Sequence, residues 1–409
     1  MTFTNSNGIS KKRVVLAGVS TNVLVLGIVS LLTDMSSEMI YPIMPLFLLG
    51  IGSSVLLIGL IEGAAETTAS LVKVVSGWYS DRYSRRKPFI IGGYGASAIV
   101  KPILALATSP WHVLGIRVTE RIGKGVRSAP RDALIADSTA HDVRGRAYGF
   151  HKAMDSSGAV IGPLLALPVL LAASAVTTDT YRLVFLLSAI PAFIAVLVIL
   201  LFVREKETAR TAKKVGGLFK EMARLDRSFW RLMAIVMTFY IGEINVAFFI
   251  VKANESGADT TTSILMYVLF NVLFVLVAIP AGDLSDRLGR RPVIAASFSL
   301  LALSCLVMAA FDTLPMIALG FAVYGVYKGS SEGVLKAYVT DFVPTHVRGT
   351  ALGAFHTGVG LVMLPGGIIA GLLWDDVGPW ATFAYGIAMA LAAMVLLAVI
   401  GQEKASTVK

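Results

Sequence analysis

Long apolar stretches recur along the whole chain and constrain its fold more than any other feature. A bilayer core of roughly 30 Å is crossed by a helix of about 20 apolar residues, and the stretches here reach that length again and again. Of 409 residues, 56% are hydrophobic and 15% charged, against about 25% charged in a typical soluble domain. A spanning β-barrel would show short alternating segments instead. The sequence therefore predicts an all-α integral membrane protein with spans at 15–49, 54–79, 88–108, 111–136, 144–173, 181–203, 229–252, 260–282, 292–311, 314–342, 348–374 and 378–401.

The placement of the basic residues predicts the orientation of these spans. Lys and Arg lie almost wholly at the termini and in the loops after even-numbered spans, around 82–87, 204–227 and 287–291, whereas the opposite loops carry none. The positive-inside rule then places both termini in the cytoplasm, with the chain in an inner (plasma) membrane of bacterial type. The net charge of +10 is explained by these loops, so no nucleic-acid partner is expected. No cleaved signal peptide is expected either, because the first apolar run continues past any cleavage site.

The chain divides into two similar halves. The charged stretch 204–228 is the one break in composition, and it separates a first bundle over residues 1–203 from a second over 229–409. A loop pattern of Gly, Asp-Arg and Arg-Arg at 77–86 recurs at 282–291, and Asp137 recurs as Asp341. Two motifs that repeat at nearly one spacing indicate a parallel internal repeat, the architecture of transporters built from two bundles.

These motifs resemble those of the major facilitator superfamily, and the resemblance covers essentially the whole chain. The loop signature G-x-x-x-D-R-x-x-R-R stands at Gly77, Asp81, Arg82, Arg85 and Arg86, and again at Gly282, Asp286, Arg287, Arg290 and Arg291. The fourth-helix pattern R-x-x-x-G-x-x-x-A appears as Arg121, Gly125 and Ala129, and the fifth-helix pattern G-x-x-x-G-P as Gly158, Gly162 and Pro163. The resemblance implies twelve transmembrane helices in two pseudo-symmetric six-helix bundles and secondary active transport. The fifth-helix motif implies export by antiport, although Leu, Leu and Ala follow Pro163 where the family has a further glycine.

Ionisable residues inside the predicted spans are the candidates for transport chemistry. Each costs roughly 2.5–3.5 kcal/mol on insertion scales, so it needs a partner, a watery cavity or a function. In helix one, Asp34 and Glu38 are spaced i, i+4 and share a face. In helix four an arc of about 120° contains Arg117, Glu120, Arg121, Lys124, Arg127 and Arg131.

This stripe on helix four has two interpretations. In one, Asp34, Glu38 and Glu120 neutralise Arg117 and Arg121 and merely hold helices together. In the other, Arg121 with Arg117 or Arg127 forms a positive site in the pathway, and Asp34 or Glu38 binds and releases a proton. The aromatic residues of the second half, such as Tyr267, Phe270 and Tyr324, are candidates for an amphipathic substrate's site or for ordinary helix packing.

Helix five carries a second set of candidates on one face. His151 and Asp155 are one turn apart, and an imidazole beside a carboxylate can carry protons. Gly158 and Gly162 follow on the same face and allow another helix to approach closely, and Pro163 adds a kink. His151 as an ordinary polar residue near the membrane surface is an equal alternative. In helix ten, Lys328, Glu332 and Lys336 at i, i+4 spacing favour internal salt bridges.

The repeated loop motif suggests a latch at the cytoplasmic side. Asp81 would lie against the positive N-terminus of helix eleven near Arg348. Arg82 or Arg85 would pair with Asp137, and Arg287 or Arg290 with Asp341. Plain positive-inside anchoring is the alternative, but it explains the arginines and not the aspartates. The full latch set is Gly77, Asp81, Arg82, Arg85, Arg86 and Asp137 with Gly282, Asp286, Arg287, Arg290 and Asp341.

These observations favour a secondary active transporter that exports a small organic anion or zwitterion against inward proton flow by alternating access. A proton-coupled or facilitative importer of an organic anion remains open, and a metal-ion transporter is a weaker possibility. A receptor on the same scaffold would need an added signalling domain. No enzymatic function is expected, since no P-loop lysine motif is present, and no cofactor or metal is expected beyond a coupling proton. The partners are a small-molecule substrate and the bilayer, and the protein is expected to act as a monomer.

Overall fold

The computed structural model describes residues 14–15, 19–83, 85–139, 143–205, 225–344 and 347–400, with the backbone alone at 14, 15, 19, 81–83 and 400. These ranges contain twelve long helices, numbered here in chain order. They are α1 (Thr21–Gly50), α2 (Val55–Tyr83), α3 (Lys87–Leu104), α4 (Pro110–Asp137), α5 (Arg144–Ala172), α6 (Thr178–Phe202), α7 (Arg227–Glu255), α8 (Thr260–Leu288), α9 (Arg290–Ala310), α10 (Leu314–Asp341), α11 (Arg348–Asp376) and α12 (Pro379–Ile400). A two-residue antiparallel ladder, β1 (Val14–Val15) and β2 (Val19–Ser20), precedes them.

The helices confirm the predicted all-α membrane fold. Within the described ranges, nine are long and apolar enough to cross a bilayer. The three that fall short are α3, α4 and α10, and the last two carry the charged residues singled out in the sequence. Their polar content is compatible with a membrane because their charged faces turn to the protein interior rather than to lipid.

Two helices are broken at equivalent places in the two halves. α1 consists of Thr21–Ile40 and Met44–Gly50 joined by a 3-10 turn at Tyr41–Ile43, where Pro42 lacks the amide that an unbroken helix needs. α7 consists of Arg227–Ile241 and Val246–Glu255. The two breaks face each other, since Tyr41 Oη donates to Asn245 Oδ1 at 3.1 Å.

Backbone groups freed by the break in α7 find partners inside the protein, as groups away from water must. Tyr385 Oη donates to Ile241 O at 2.8 Å, and Tyr324 Oη donates to Ile244 O at 2.9 Å. Asn245 caps the second segment by accepting from Ala247 N at 2.8 Å. The break is therefore a fixed, fully bonded feature beside the interface between the halves.

The longest contact between the halves is the crossing of α2 and α11. Gly59 and Gly367 meet backbone to backbone, so that a Cβ on either would overlap the other's carbonyl. One turn on, a Cβ at Gly63 would lie 2.8 Å from Leu364 Cα, and one at Gly371 would lie 2.5 Å from Leu56 Cα. Both helices thus carry a G-x-x-x-G pair, the small-residue pattern that lets membrane helices touch.

For clarity, the end of the bundle that holds the basic loops is called the basic end, and the other the far end. The halves are joined at the far end. Asp375 of α11 accepts from Val55 N at 3.2 Å and from Leu56 N at 2.9 Å, which caps the start of α2. Tyr181 and Thr260 share a hydrogen bond of 2.8 Å between α6 and α8. The largest apolar core also draws on both halves there.

The glycines of the fifth-helix motif face α1. A Cβ at Gly158 would lie 2.7 Å from Leu31 O, and one at Gly162 would lie 2.6 Å from Met35 O. Gly158→Ala is therefore expected to lower the free energy of unfolding by about 1–3 kcal/mol, the usual cost of overpacking, as measured by SDS titration in mixed micelles. Gly149→Ala on the same helix is the control, because nothing lies within 4 Å of its Cβ. Equal stability of the two variants would contradict the close packing.

Candidate functional site

A cavity of about 530 Å³ lies between the two halves. Its wall is formed by α1, α2, α4 and α5 of the first half and by α7, α8, α10 and α11 of the second. These are equivalent sets under the internal repeat, whereas α3, α6, α9 and α12 stand outside. The cavity runs from the Gly59–Gly367 contact, below the joined far end, toward Arg131 and Lys336 near the basic end.

The charged stripe of α4 lines this cavity with all six of its residues: Arg117, Glu120, Arg121, Lys124, Arg127 and Arg131. Arg117 is buried and forms ion pairs of 2.8 Å with both Glu62 of α2 and Glu120 of its own helix. Arg121 pairs with Glu66 of α2 at 3.1 Å. Of the three carboxylates suggested to neutralise these arginines, only Glu120 forms an ion pair with one of them; Glu62 and Glu66 of α2 take the places expected for Asp34 and Glu38.

Sequence analysis missed Glu62 and Glu66, although a signal was available. They are i, i+4 neighbours in a helix that otherwise reads as apolar up to Lys73. An i, i+4 acidic pair matches the i, i+4 spacing of Arg117 and Arg121 when two helices lie side by side. Together they turn much of the positive stripe into internal ion pairs.

Asp34 and Asp155 form a carboxyl pair on the cavity wall. Asp34 packs against Gly158 of α5, and the two carboxyl groups interact electrostatically across the α1–α5 contact. Asp155 also accepts from Ser30 Oγ at 2.8 Å and pairs with Lys152 at 3.0 Å. Two carboxyl groups that interact this closely cannot both be ionised at low cost, so the pair is suited to hold a proton.

His151 does not line the cavity. It is 6% exposed and lies one turn before Asp155, behind the wall that Lys152 and Asp155 form. Its Nε2 is buried without a hydrogen bond from the described residues. The structure therefore places Asp155, but not His151, in contact with the pathway.

Contacts from the second half reach the first across the cavity. Tyr267 Oη donates to Glu38 Oε2 at 2.6 Å, so α8 is bonded to α1.

Within the second half, Lys328 pairs with Glu243 of α7, and Tyr327 donates to the same carboxylate at 2.8 Å. The predicted salt bridge within α10 is thus realised only between Lys336 and Glu332, at 2.8 Å.

Arg127 of α4 and Lys101 of α3 are buried cations without a carboxylate within ion-pair distance in the described ranges. Arg127 donates to Ser97 Oγ at 2.9 Å and lies over the ring of Tyr94, 4.3 Å from its centre. Lys101 of α3 is 2% exposed and donates to two hydroxyl groups of α1, Ser36 Oγ at 2.6 Å and Ser37 Oγ at 3.1 Å. Lys101 was not predicted as a site residue, because it is the one charged residue of the span 88–108 and no spacing pattern marks it.

The loop motif is seen in both halves but with a changed pairing. Arg86 donates to Ser80 Oγ at 2.6 Å and lies 4.0 Å from Asp137. Arg290 donates to Ser285 Oγ at 2.6 Å and lies 3.4 Å from Asp341.

Asp341 lies near Arg290, which is one of its two expected partners. Arg85, one of the two residues expected near Asp137, is exposed instead, and Arg86 lies near that carboxylate. The loop of the second half is one residue shorter than that of the first. Arg86 and Arg290 therefore occupy equivalent positions, each two residues before the proline of its loop, Pro88 or Pro292. Asp286 pairs with Arg290 at 2.5 Å, and Arg287 is exposed.

The side chains of Asp81 and Arg82 lie outside the described residues, as does any contact of theirs with α11 or Asp137. Gly77 lies against α4, where a Cβ would be 3.2 Å from that of Ala129, while Gly282 has nothing within 4 Å. No group of three or more His, Cys, Asp or Glu side chains in the described ranges is arranged to hold a metal ion.

Comparison with known proteins agrees with this architecture. The family model of the Major Facilitator Superfamily matches residues 26–251 and 232–408. The chain is 35% identical over 387 residues to an uncharacterized MFS-type transporter of Methanocaldococcus jannaschii, covering 92% of this chain and 94% of the relative. It is 25% identical over 350 residues to multidrug resistance protein MdtH of Aeromonas hydrophila, covering 85% and 86%. The crystal structure of the nucleoside transporter NupG superposes with a TM-score of 0.77 at 16% identity, covering 91% and 99%.

The chain therefore belongs to the Major Facilitator Superfamily. It is a multi-pass membrane transporter for a small molecule and not an enzyme, as the sequence predicted.

Proposed function

We propose that this protein is a proton-coupled antiporter that exports a small organic anion or zwitterion through the cavity between its halves. The observation that carries the proposal is the Asp34–Asp155 carboxyl pair, which faces the cavity beside Lys152 and shares its wall with Lys124. A pair that holds a proton in one state can release it when a charge nearby changes. Binding of the cargo in the cavity would then be coupled to release of the proton from the Asp34–Asp155 pair.

The proton site and the packing of the fifth-helix motif lie on the same contact. Gly158 packs against Leu31 and Asp34, and Gly162 against Met35 and Glu38. Because the glycines hold α5 against α1, the two carboxyl groups stay within hydrogen-bond reach. A tight α1–α5 contact also keeps protons from leaking along the wall, which an antiporter requires.

The direction of transport rests on the same motif and on the relatives. MdtH carries multidrug resistance in its name and shares 25% identity over most of both chains. Import of an organic anion through the same cavity is the second candidate, because the cations of α4 suit such a cargo in either direction. Counterflow in proteoliposomes with an imposed proton gradient distinguishes export from import.

We further propose that the basic end faces the cytoplasm and that the loop pairs Arg86–Asp137 and Arg290–Asp341 belong to its gate. Arginine-rich loops at one end are the hallmark of the cytoplasmic side. The far end, where the halves are joined, would then face outward, and the cavity would be accessible from the cytoplasm. Breaking and remaking contacts at the two ends in turn gives alternating access.

Orientation is tested with single cysteines. In a Cys305→Ser background, Ser174→Cys in the far-end loop between α5 and α6 is expected to react with a membrane-impermeant maleimide on intact cells. Arg85→Cys at the basic end is expected to react only after permeabilisation. Both side chains are exposed in the structure, so accessibility depends on the side of the membrane. The reverse labelling pattern would overturn the proposed orientation.

The function itself is tested by counterflow in proteoliposomes with a panel of anionic, zwitterionic and cationic compounds. Export by antiport predicts that an imposed proton gradient drives accumulation of an anionic or zwitterionic compound on the side with more protons. Accumulation on the other side would indicate proton-coupled import. Transport that is indifferent to the gradient for every compound would overturn the coupling.

A further inference from the structure

Most charges of the cavity are already compensated within the protein. Arg117 pairs with Glu62 and Glu120, and Arg121 pairs with Glu66. On the other wall Lys328 pairs with Glu243 and Lys336 with Glu332. Groups held in such pairs gain little from a cargo, because binding would first have to break a bond that already exists.

Two cavity charges on neighbouring helices are exceptions. The ammonium group of Lys124 on α4 forms neither an ion pair nor a hydrogen bond with any described residue, although the side chain is exposed to the cavity. Glu38 of α1 has no ion pair within the described ranges and accepts a single hydrogen bond, from Tyr267. Lys124 acts electrostatically on Glu38, and also on Asp34 and Glu66, but forms an ion pair with none of the three. The space between them is bordered by one uncompensated cation and one uncompensated anion.

The other cavity cations without a carboxylate partner are differently placed. Arg127 is 5% exposed, and its guanidinium is held by Ser97 and the face of Tyr94. Lys73 lies 3.5 Å from His356, across the α2–α11 contact. Lys124 is therefore the cation that is most available to a ligand.

The second half presents an aromatic wall to the same space, formed by Tyr240, Tyr267, Phe270, Phe274, Tyr324 and Phe355. Several of its rings are in contact with one another. The centres of Tyr267 and Phe270 are 5.5 Å apart, and those of Phe270 and Tyr324 are 5.4 Å apart. Such a surface favours a flat apolar body through burial and ring contacts.

We infer that the cargo is an amphipathic zwitterion, with its acidic group bound by Lys124, its ammonium group bound by Glu38, and an aromatic body packed on the aromatic wall. This inference rests on the proposed function for the existence of a transported cargo, and it decides between the two cargo classes left open there. A simple anion would be repelled by Glu38 and would leave that carboxylate uncompensated. A simple cation would be repelled by Lys124 and would leave that ammonium group uncompensated.

The test uses two matched sets of probes on the purified full chain in nanodiscs, with binding measured by calorimetry. One set is phenylalanine, phenylalanine amide and 3-phenylpropanoate; the other is tryptophan, tryptophan amide and indole-3-propanoate. In at least one set the zwitterion is expected to bind roughly tenfold or more tightly than either singly charged analogue, the effect of one charge-assisted hydrogen bond.

Charge-neutral variants separate the two contacts. Lys124→Gln is expected to remove the preference for the zwitterion over the amide. Glu38→Gln is expected to remove the preference over the propanoate. The controls Lys336→Gln and Glu332→Gln change the cavity charge by the same amounts at a bonded pair near the basic end, and they are expected to keep the wild-type preferences.

Three results would overturn the inference. They are equal binding of the propanoate and the zwitterion, binding of no zwitterion in either set, and equal loss of preference in the control variants. Failure of the proposed function looks different, because the zwitterion preference in nanodiscs would then persist while transport in proteoliposomes showed no dependence on a proton gradient.

Discussion

Asp34→Asn is expected to abolish proton-driven accumulation of cargo while leaving gradient-free exchange of the same cargo largely intact. An amide keeps the size and hydrogen bonding of the carboxyl group but cannot take up or release a proton. Asp155 would then remain with Ser30 and Lys152 as fixed partners, so the wall keeps its shape. The expected loss of accumulation is at least about tenfold, the effect of removing an interaction of about 1.4 kcal/mol, measured in proteoliposomes with an imposed pH gradient.

Two controls make this result specific to the carboxyl pair. Asp155→Asn removes the other member and is expected to have the same phenotype. Asp132→Asn removes a carboxylate that pairs with Arg131 at 3.0 Å and is not part of the cavity wall, and it is expected to keep accumulation. Normal accumulation in both Asp34→Asn and Asp155→Asn, at normal protein levels, would show that the proton is carried elsewhere.

Arg117→Met is expected to be the most destabilising single change in the cavity. It would leave the buried Glu62 and the partly buried Glu120 without their cation, and stranding a buried charge costs about 3–5 kcal/mol. Arg117 and Glu62 are both 4% exposed, so water cannot replace the lost partner. We expect the free energy of unfolding to fall by this amount in SDS titration, together with low protein levels in the membrane.

The double variant Arg117→Met with Glu62→Gln is expected to recover much of this loss, because the stranded charge is removed as well. Arg182→Met is the control, since Arg182 pairs with an exposed carboxylate, Asp179, at the far end. Exposed pairs contribute roughly 0–1 kcal/mol. If Arg117→Met were as stable as the control while cargo binding was lost, Arg117 would be a cargo ligand rather than a structural residue.

The sequence predicted the architecture well because its signals are local. Apolar length, the alternation of basic loops and the two Asp-Arg motifs each depend on a few consecutive residues. The twelve helices were found with ends mostly within a few residues of the expected windows. The breaks in α1 and α7 differ in how local their signals are. Pro42 marks the break in α1, whereas the break in α7 has no proline and is stabilised by hydrogen bonds from Tyr324 and Tyr385.

The site was predicted less well, because partners on other helices decide what each charge does. The six residues of the α4 stripe are in the cavity wall as expected from their helical arc. Their charge balance was misjudged, since Glu62 and Glu66 lie on α2, and no local pattern says that α2 packs beside α4. Arg86 was not predicted to lie near Asp137 for a similar reason: the two residues are more than fifty positions apart in sequence and come together only in the folded bundle.

The G-x-x-x-G pairs of α2 and α11 are a signal that could have been used. Gly59 and Gly63, and Gly367 and Gly371, repeat at the spacing expected of contacting membrane helices. Read together, they would have predicted the α2–α11 crossing and hence the position of the cavity beneath it.

The central claim is that cargo and protons move in opposite directions through one cavity, and proton movement can be measured directly. Proteoliposomes containing the full chain and a trapped pH indicator are exposed to each compound of the panel in turn, with no gradient imposed. The account predicts that at least one anionic or zwitterionic compound causes protons to leave the lumen as it enters, and that Asp34→Asn abolishes this signal. Entry of compounds with no change in luminal pH, or with protons entering alongside them, would contradict it.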